Sequence, residues 1–258
     1  MFDPKKFTTT QAKPFPVFLL LDVSGSMNIV IDPENTMLTG ETAFIDGQYV
    51  EFVEGGTTKI QLLNEAVKTM VESFKNEEKM ETEFLVSVIT FGDKAHLHLK
   101  PTKASEISWD EFCAHGETAM GAALSLSKSM IEDKEIIASR AYRPTVVLVS
   151  DGSPNDAWEN AMNSFVHEGR TSKCFCVAMG IGDDADRGVL GQFIENTPFL
   201  AQQGETRVPN KVFSANDAES IHEFFQKVTM SVTSRSKSNN PNQIPSVGVN
   251  DADNEGYW

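Results

Sequence analysis

Four apolar runs along the chain have strand length and almost no alternation: VFLLLD (17–22), FLVSVITF (84–91), TVVLVSD (145–151) and CFCVAMG (174–180). A strand with one wet face would alternate, so continuous runs predict strands covered on both sides. Between them the apolar period lengthens to that of a helix. In KIQLLNEAVKTMVESF, Ile60, Leu63, Val67, Met70 and Phe74 recur at spacings of three and four, with acids and lysines opposite. A second helix is predicted from Ala119 through Leu126, Met130 and Ile131, and a third after Pro154, with Ser153 as N-cap and the proline at the first helical position. The last, AESIHEFFQKVTMSV, puts Ile221, Phe224, Phe225, Val228 and Val232 on one face. Strand and helix in alternation predict an α/β fold, a doubly wound and mostly parallel sheet with helices on both faces. FLVSVITFGDKAHLHL breaks the rhythm, reading as two strands turning at Gly92 and Asp93, which adds one antiparallel edge strand.

Two stretches fall outside this scheme. Between Met27 and the helix near Thr58 lie roughly thirty residues where a few normally suffice. Within them AFIDGQYVEFVEGG alternates around Asp46 and Gly47, which predicts a hairpin carrying Phe44, Tyr49, Phe52 and Val53. After Val232 the chain is rich in Ser, Asn and Pro and poor in core-forming residues. The expected organisation is an N-terminal arm (1–13), one domain (14–233) with an insert (28–57), and a flexible tail (234–258).

Composition narrows the function. Aspartate and glutamate number 37 against 22 lysines and arginines, a formal net charge of -15 over 258 residues. Nucleic acid and anionic membrane reward clustered positive charge, so neither is an expected partner. Three cysteines make no disulfide framework; Cys174 and Cys176 read as small buried side chains. The apolar stretch after Lys5 and Lys6 ends at Asp22 without a cleavage pattern, and a cytoplasmic protein is expected.

The chemistry lies at the strand ends. LLLD and LVSD finish in Asp22 and Asp151, and in an open parallel sheet the carboxyl ends of strands face one crevice. Ser24 and Ser26 follow the first at alternate positions, and Thr118 in HGETAMG precedes a helix. Two carboxylates and three hydroxyls, with no imidazole or thiolate, suit a hard cation. His96 and His98 could join His115 in a zinc site, but alternation on an edge strand explains the pair more simply, and Asp183, Asp184 and Asp186 are better explained by the start of a helix than by a calcium site.

DVSGSM, Thr118 in GETAMG, and Asp151 in SDGSPND together resemble the metal-ion-dependent adhesion site of von Willebrand factor A domains, over roughly residues 14 to 233. PVFLLLDVSGSM, ITF at 89–91, DGSPND and AMGIGDDAD look most like the TerY-type proteins of bacterial tellurite-resistance and stress gene clusters. The resemblance implies that Ser24, Ser26 and Thr118 bind one metal ion directly or nearly so, magnesium or else manganese or calcium, with Asp22 and Asp151 acting chiefly through water. It also implies a scaffold working with a kinase or phosphatase of the same cluster. Two carboxylates only balance a divalent ion, which leaves it drawn to one further anionic oxygen, such as a partner's Asp or Glu.

The expected function is therefore a metal-dependent binding module and not an enzyme, with Phe44, Tyr49 and Phe52 of the insert as partner-contacting residues. The competing reading is a metal-dependent phosphohydrolase with Asp22 as nucleophile. Such an enzyme would carry a second acid where Ser24 stands and a lysine near the later motifs, and none is close to Asp151 in the sequence.

Overall fold

All nine residues of β1 (Pro14–Asp22) are buried, because the strand lies in the middle of a six-stranded sheet. The structure is a computed structural model that describes residues 13–32, 36–45, 48–78, 83–197 and 211–242. Strand β1 pairs in parallel with β6 (Glu83–Phe91) on one side and β8 (Thr145–Ser150) on the other. Pairing with β8 begins only at Val17, so Pro14 and Pro16, which lack an N–H, precede the stretch bonded on both sides. Beyond β8 come β9 (Phe175–Ile181) and the short β10 (Phe213–Ala215), both parallel, and β7 (Ala95–Lys103) closes the opposite edge antiparallel to β6. The expected mixed sheet is present, with a two-faced core.

The odd residues Val17, Leu19 and Leu21 enter a layer with α1 (Lys59–Glu78) and α5 (Ala218–Lys237), through Ile60, Leu63, Val67, Phe224 and Val228 among others. The even residues Phe18 and Leu20 face α2 (Met120–Glu132), α3 (Trp158–His167) and α4 (Arg187–Ile194), through Leu124, Phe165 and Leu190. The run has no polar alternation because neither face meets water; each large apolar side chain removed in this way contributes about 1.5–3 kcal/mol before the loss of conformational entropy is counted. Cys174 and Cys176 join the second layer, where burial pushes the Cys174 thiol up to about 12.

Two expectations need adjustment. Helix α3 starts at Trp158, not after Pro154. The preceding residues serve α2, which has no side-chain cap of its own: Asp156 accepts from Gly121 N at 3.0 Å and Ala122 N at 2.9 Å. Helix α5 runs past Val232 to Lys237, and Arg235 is buried, its guanidinium 3.6 Å from the Phe175 ring centroid and donating to Thr145 Oγ1 at 2.7 Å. The packed body thus extends beyond residue 233. The helix-start reading of the acidic loop holds for Asp186, which caps α4, accepting from Gly188 N and Val189 N.

The insert is a closed excursion. Short strands β2 (Val30–Asp32) and β5 (Thr57–Thr58) pair antiparallel, with Val30 opposite Thr58, so the chain leaves and returns at one place. Beyond them β3 (Met37–Ile45) and β4 (Gln48–Glu54) pair antiparallel with Phe44 opposite Tyr49 and Ile45 opposite Gln48. Among the described residues no helix is long and apolar enough to cross a membrane.

Candidate functional site

The strand order reverses direction between β1 and β8, and the crevice beyond their carboxyl ends is where such sheets place ligands. Asp22 closes β1, and Asp151 directly follows β8. Leu21 pairs with Val149, so the next residues along, Asp22 and Ser150, come side by side.

Leaving β1, the chain makes one short 3-10 turn over Gly25–Asn28. Asp22 Oδ1 accepts from Ser24 N at 2.8 Å, which bends the backbone so that the serine hydroxyls turn toward β8. Ser26 Oγ donates to Asp151 Oδ1 at 2.8 Å, Ser24 Oγ reaches the same oxygen at 3.5 Å, and the two hydroxyls are 3.0 Å apart. Four of the five residues expected to form the site therefore gather in one hydrogen-bonded group.

Thr118 belongs to a neighbouring loop stitched to the first by main chain: His115 N donates to Val23 O at 2.6 Å and Gly25 N to Gly116 O at 2.9 Å. Gly116 has φ +77, and a Cβ there would stand 2.5 Å from Asp93, whose Oδ1 accepts from Glu117 N; only glycine lets the loops close this way. Thr118 exchanges bonds with Asn155, N to Oδ1 at 3.2 Å and O from N at 3.2 Å, fixing it to the Asp151 loop. Its hydroxyl has no hydrogen-bond partner among the described residues and does not join the cluster directly.

The two carboxylates differ sharply. Asp22 is 0% exposed and is held by neutral donors only, the Ser24 amide on Oδ1 and the Ser150 hydroxyl on Oδ2; burial raises its carboxyl to about 6, and the charge of Asp151 adds to the rise. Asp151 is buried as well, but its Oδ2 takes the ammonium of Lys59 at 2.7 Å, with the lysine side chain 7% exposed. Lys59 opens α1, its backbone N donating to Ile29 O at 3.1 Å. Its ammonium also lies beside Gly182, which has φ +79 at the end of β9. The absence of a lysine near Asp151 in the sequence is thus not an absence in space. One signal of it was present: a lysine in the first turn of a helix is unfavourable to the helix dipole and calls for a carboxylate from elsewhere.

Among the described residues no three His, Cys, Asp or Glu side chains cluster as a metal site would require of those types alone. The donor set here is two carboxylates with hydroxyls, which fits a hard divalent cation and not zinc-type coordination by nitrogen and sulfur. His98 Nε2 pairs with Asp110 O and His115 Nδ1 with Cys113 O. Of the insert residues, Tyr49 is 81% exposed, whereas the side chains of Phe44 and Phe52 lie outside the described residues. Ile29, Met37 and Leu38 are also exposed.

Residues 17–153 match the model of the von Willebrand factor type A domain, more than half of the chain. The chain belongs to that family. Among curated proteins none matches. Its fold is similar to that of a von Willebrand factor type A protein from Catenulispora acidiphila, at a TM-score of 0.56 and 16% identity, over 85% of this chain and 43% of that one. It is similar also to proximal thread matrix protein 1 from the mussel byssus with a zinc occupied MIDAS motif (TM-score 0.52, 15% identity, 85% and 45% covered). A third is the ArnB paralog VWA2 from Sulfolobus acidocaldarius (TM-score 0.51, 13% identity, 86% and 46% covered). The chain spans less than half the length of these three proteins, and at such identities the likeness is one of fold.

Proposed function

We propose that the chain is a metal-dependent protein-binding module. A divalent cation, magnesium or else manganese or calcium, would be held by Asp22, Ser24, Ser26, Asp151 and Thr118, and would supply an attachment point for a carboxylate of a partner protein. The observation that carries this reading is the convergence of the Ser24, Ser26 and Asp151 oxygens at 2.8 to 3.5 Å beyond the ends of β1 and β8. The Thr118 hydroxyl in the adjoining loop supplies a further hard donor. A distant relative in fold, the mussel matrix protein, has a zinc occupied motif of this kind, which supports metal binding at the site without fixing the ion.

The insert completes the surface. It begins two residues after Ser26, and Ile29, Met37, Leu38 and Tyr49 on it are exposed. Apolar contact area beside a charged anchor suits a protein partner, the anchor fixing register while aromatic and aliphatic groups supply affinity. The partner class, a kinase or phosphatase in a phosphorylation-linked stress response in the cytoplasm, rests on the TerY-type motif resemblance alone.

Lys59 restores one feature of the phosphohydrolase reading. Against that reading counts the full burial of Asp22, both of whose oxygens accept hydrogen bonds, since a nucleophile needs an oxygen open to the phosphorus. Calorimetry with magnesium and manganese tests the proposal. One ion per chain is expected for the wild type and at least a hundredfold weaker binding for Asp22→Ala with an unchanged circular dichroism spectrum, while the same preparation releases no phosphate from a generic ester. Equal affinity in both proteins sinks the assignment, and metal-dependent phosphate release lost in Asp22→Ala favours the enzyme.

A further inference from the structure

Lys59 does not belong to the set of oxygens that would hold a metal, yet it occupies one of them. Its ammonium lies 2.7 Å from Asp151 Oδ2, while Ser24 and Ser26 share Asp151 Oδ1. Both partners are almost without solvent, 7% and 0% exposed in their side chains. A buried ammonium and a cation of charge two drawn to the same carboxylate repel each other, and that repulsion is screened weakly there.

We propose that Lys59 is a resident cation of this site: it closes the charge of Asp151 in the metal-free protein, and a divalent ion binds by displacing it. The module then has two states, lysine-in and metal-in, and only the second offers a position for a partner's carboxylate. The inference rests on the metal-binding reading above.

Three further observations shape it. The first is how Lys59 is aimed. It is the first residue of α1, and the β2–β5 pair below the insert brings Val30 opposite Thr58, so the lysine is set by the stem of the insert and by its own backbone bond to Ile29 O. The second is what lies beside the ammonium. Gly182 has no side chain, and a Cβ there would come to 3.5 Å from Lys59 Nζ, so no side chain of that residue crowds the lysine. The third concerns cost. A lysine at a helix N-terminus opposes the helix dipole, so its placement is stabilised by Asp151 and weakened once that carboxylate turns to a metal.

The device also accounts for a fold that needs no metal to be complete. Without Lys59 the crevice would bring two buried carboxylates together with no positive charge. With it, the carboxylate of Asp151 is neutralised in the metal-free chain, and ion binding exchanges one cation for another in place of filling a void. The ion's affinity is then lowered by the free energy of the ion pair it must break.

The test is a manganese titration at one fixed pH, read by the paramagnetic resonance signal of free Mn2+, on the wild type, Lys59→Met and Lys59→Arg. Met removes the charge and keeps the length; Lys59→Met is expected to bind at least tenfold more tightly than the wild type, and Lys59→Arg no more tightly. Equal or weaker binding by Lys59→Met overturns the competition while leaving the metal site standing. No binding by any of the three proteins overturns both. A second measurement needs no variant: acylation of lysines in the wild type, mapped by mass spectrometry, should find Lys59 protected in chelator and labelled at least tenfold faster when magnesium saturates the site. Unchanged protection in a protein shown to bind magnesium overturns the displacement.

Discussion

Asp22 and Asp151 end neighbouring strands of one sheet, both are out of reach of water, and in the sequence both are an acid at the end of an apolar run. Their electrostatic situations are nevertheless opposite. Asp22 meets only neutral donors and is pushed up to about 6, chiefly by burial. Asp151 meets an ammonium carried by a residue 92 positions earlier in the chain. Equal burial does not give two strand-end carboxylates equal surroundings: one packs against neutral donors and the other against an ammonium. The same fold position can therefore hold a group tolerating its charge poorly and a group paired with a buried ammonium.

Isosteric amides break the comparison most directly. Asp151→Asn removes the countercharge and leaves the Lys59 ammonium buried, which costs about 3–5 kcal/mol when one member of a buried pair is lost. Asp22→Asn removes a charge that was already disfavoured, and the amide still accepts from Ser24 N and faces a hydroxyl free to turn. Urea denaturation in chelator at neutral pH should show a large loss for the first and at most about 1 kcal/mol for the second. Equal losses would mean that the Lys59 pair contributes nothing, and that the two acids are alike after all.

The pH dependence of stability sharpens the same contrast. The folded carboxyl of Asp22 titrates at about 6 against an ordinary value of 3.8, so between these values the folded protein holds a proton that the unfolded chain has released. Stability from this group is then greatest below about pH 4 and falls as pH rises through about 6, by roughly 3 kcal/mol in all. In chelator, Asp22→Asn should flatten that fall, and Asp151→Asn should leave most of it, since burial is the larger cause and the Asp151 charge the smaller. A wild-type curve that rises across this window would contradict the assignment.

Much of this arrangement was legible in the sequence, for reasons that particular residues make clear. The runs that became β1, β6, β8 and β9 were readable because strands covered on two faces need no polar positions, and the crevice followed from two such runs ending in acid. Four site residues, Asp22, Ser24, Ser26 and Asp151, proved to be neighbours because they sit within four residues of those strand ends. The strand β10 was missed, since Phe213–Ala215 is three residues long and carries no pattern. The start of α3 was misplaced because a serine before a proline is a good local cap signal, whereas Asp156 serves the neighbouring helix and caps α2. Lys59 was missed because its partner is remote in the chain, and short-range reading sees only a lysine on the polar side of an amphipathic helix.

Ser150 gives the smallest of the expected effects and the most specific. Its hydroxyl donates to Asp22 Oδ2, and it stands on β8 beside Asp22 because of the register of the sheet, so it is the closest thing Asp22 has to what Lys59 is for Asp151. A hydroxyl can offset part of the cost of a buried charge but cannot cancel it, and the raised carboxyl shows the part left over. Removing it in Ser150→Ala should cost about 2 kcal/mol at pH 7, where the acceptor is ionised, and less at pH 4, where it is protonated. The same change should move the Asp22 midpoint above about 6, because one of the interactions that lower it is lost. Ser87→Ala is the control: Ser87 is also fully buried in the sheet, but its hydroxyl donates to the neutral Leu99 carbonyl at 2.9 Å, so its loss of about 1 kcal/mol should not vary with pH. Chemical denaturation of both variants from pH 4 to pH 8 in chelator separates the outcomes. A Ser150→Ala loss as flat as that of Ser87→Ala would show that Asp22 carries no charge across this range, and the distinction between the two strand-end acids would then be one of ionised against neutral.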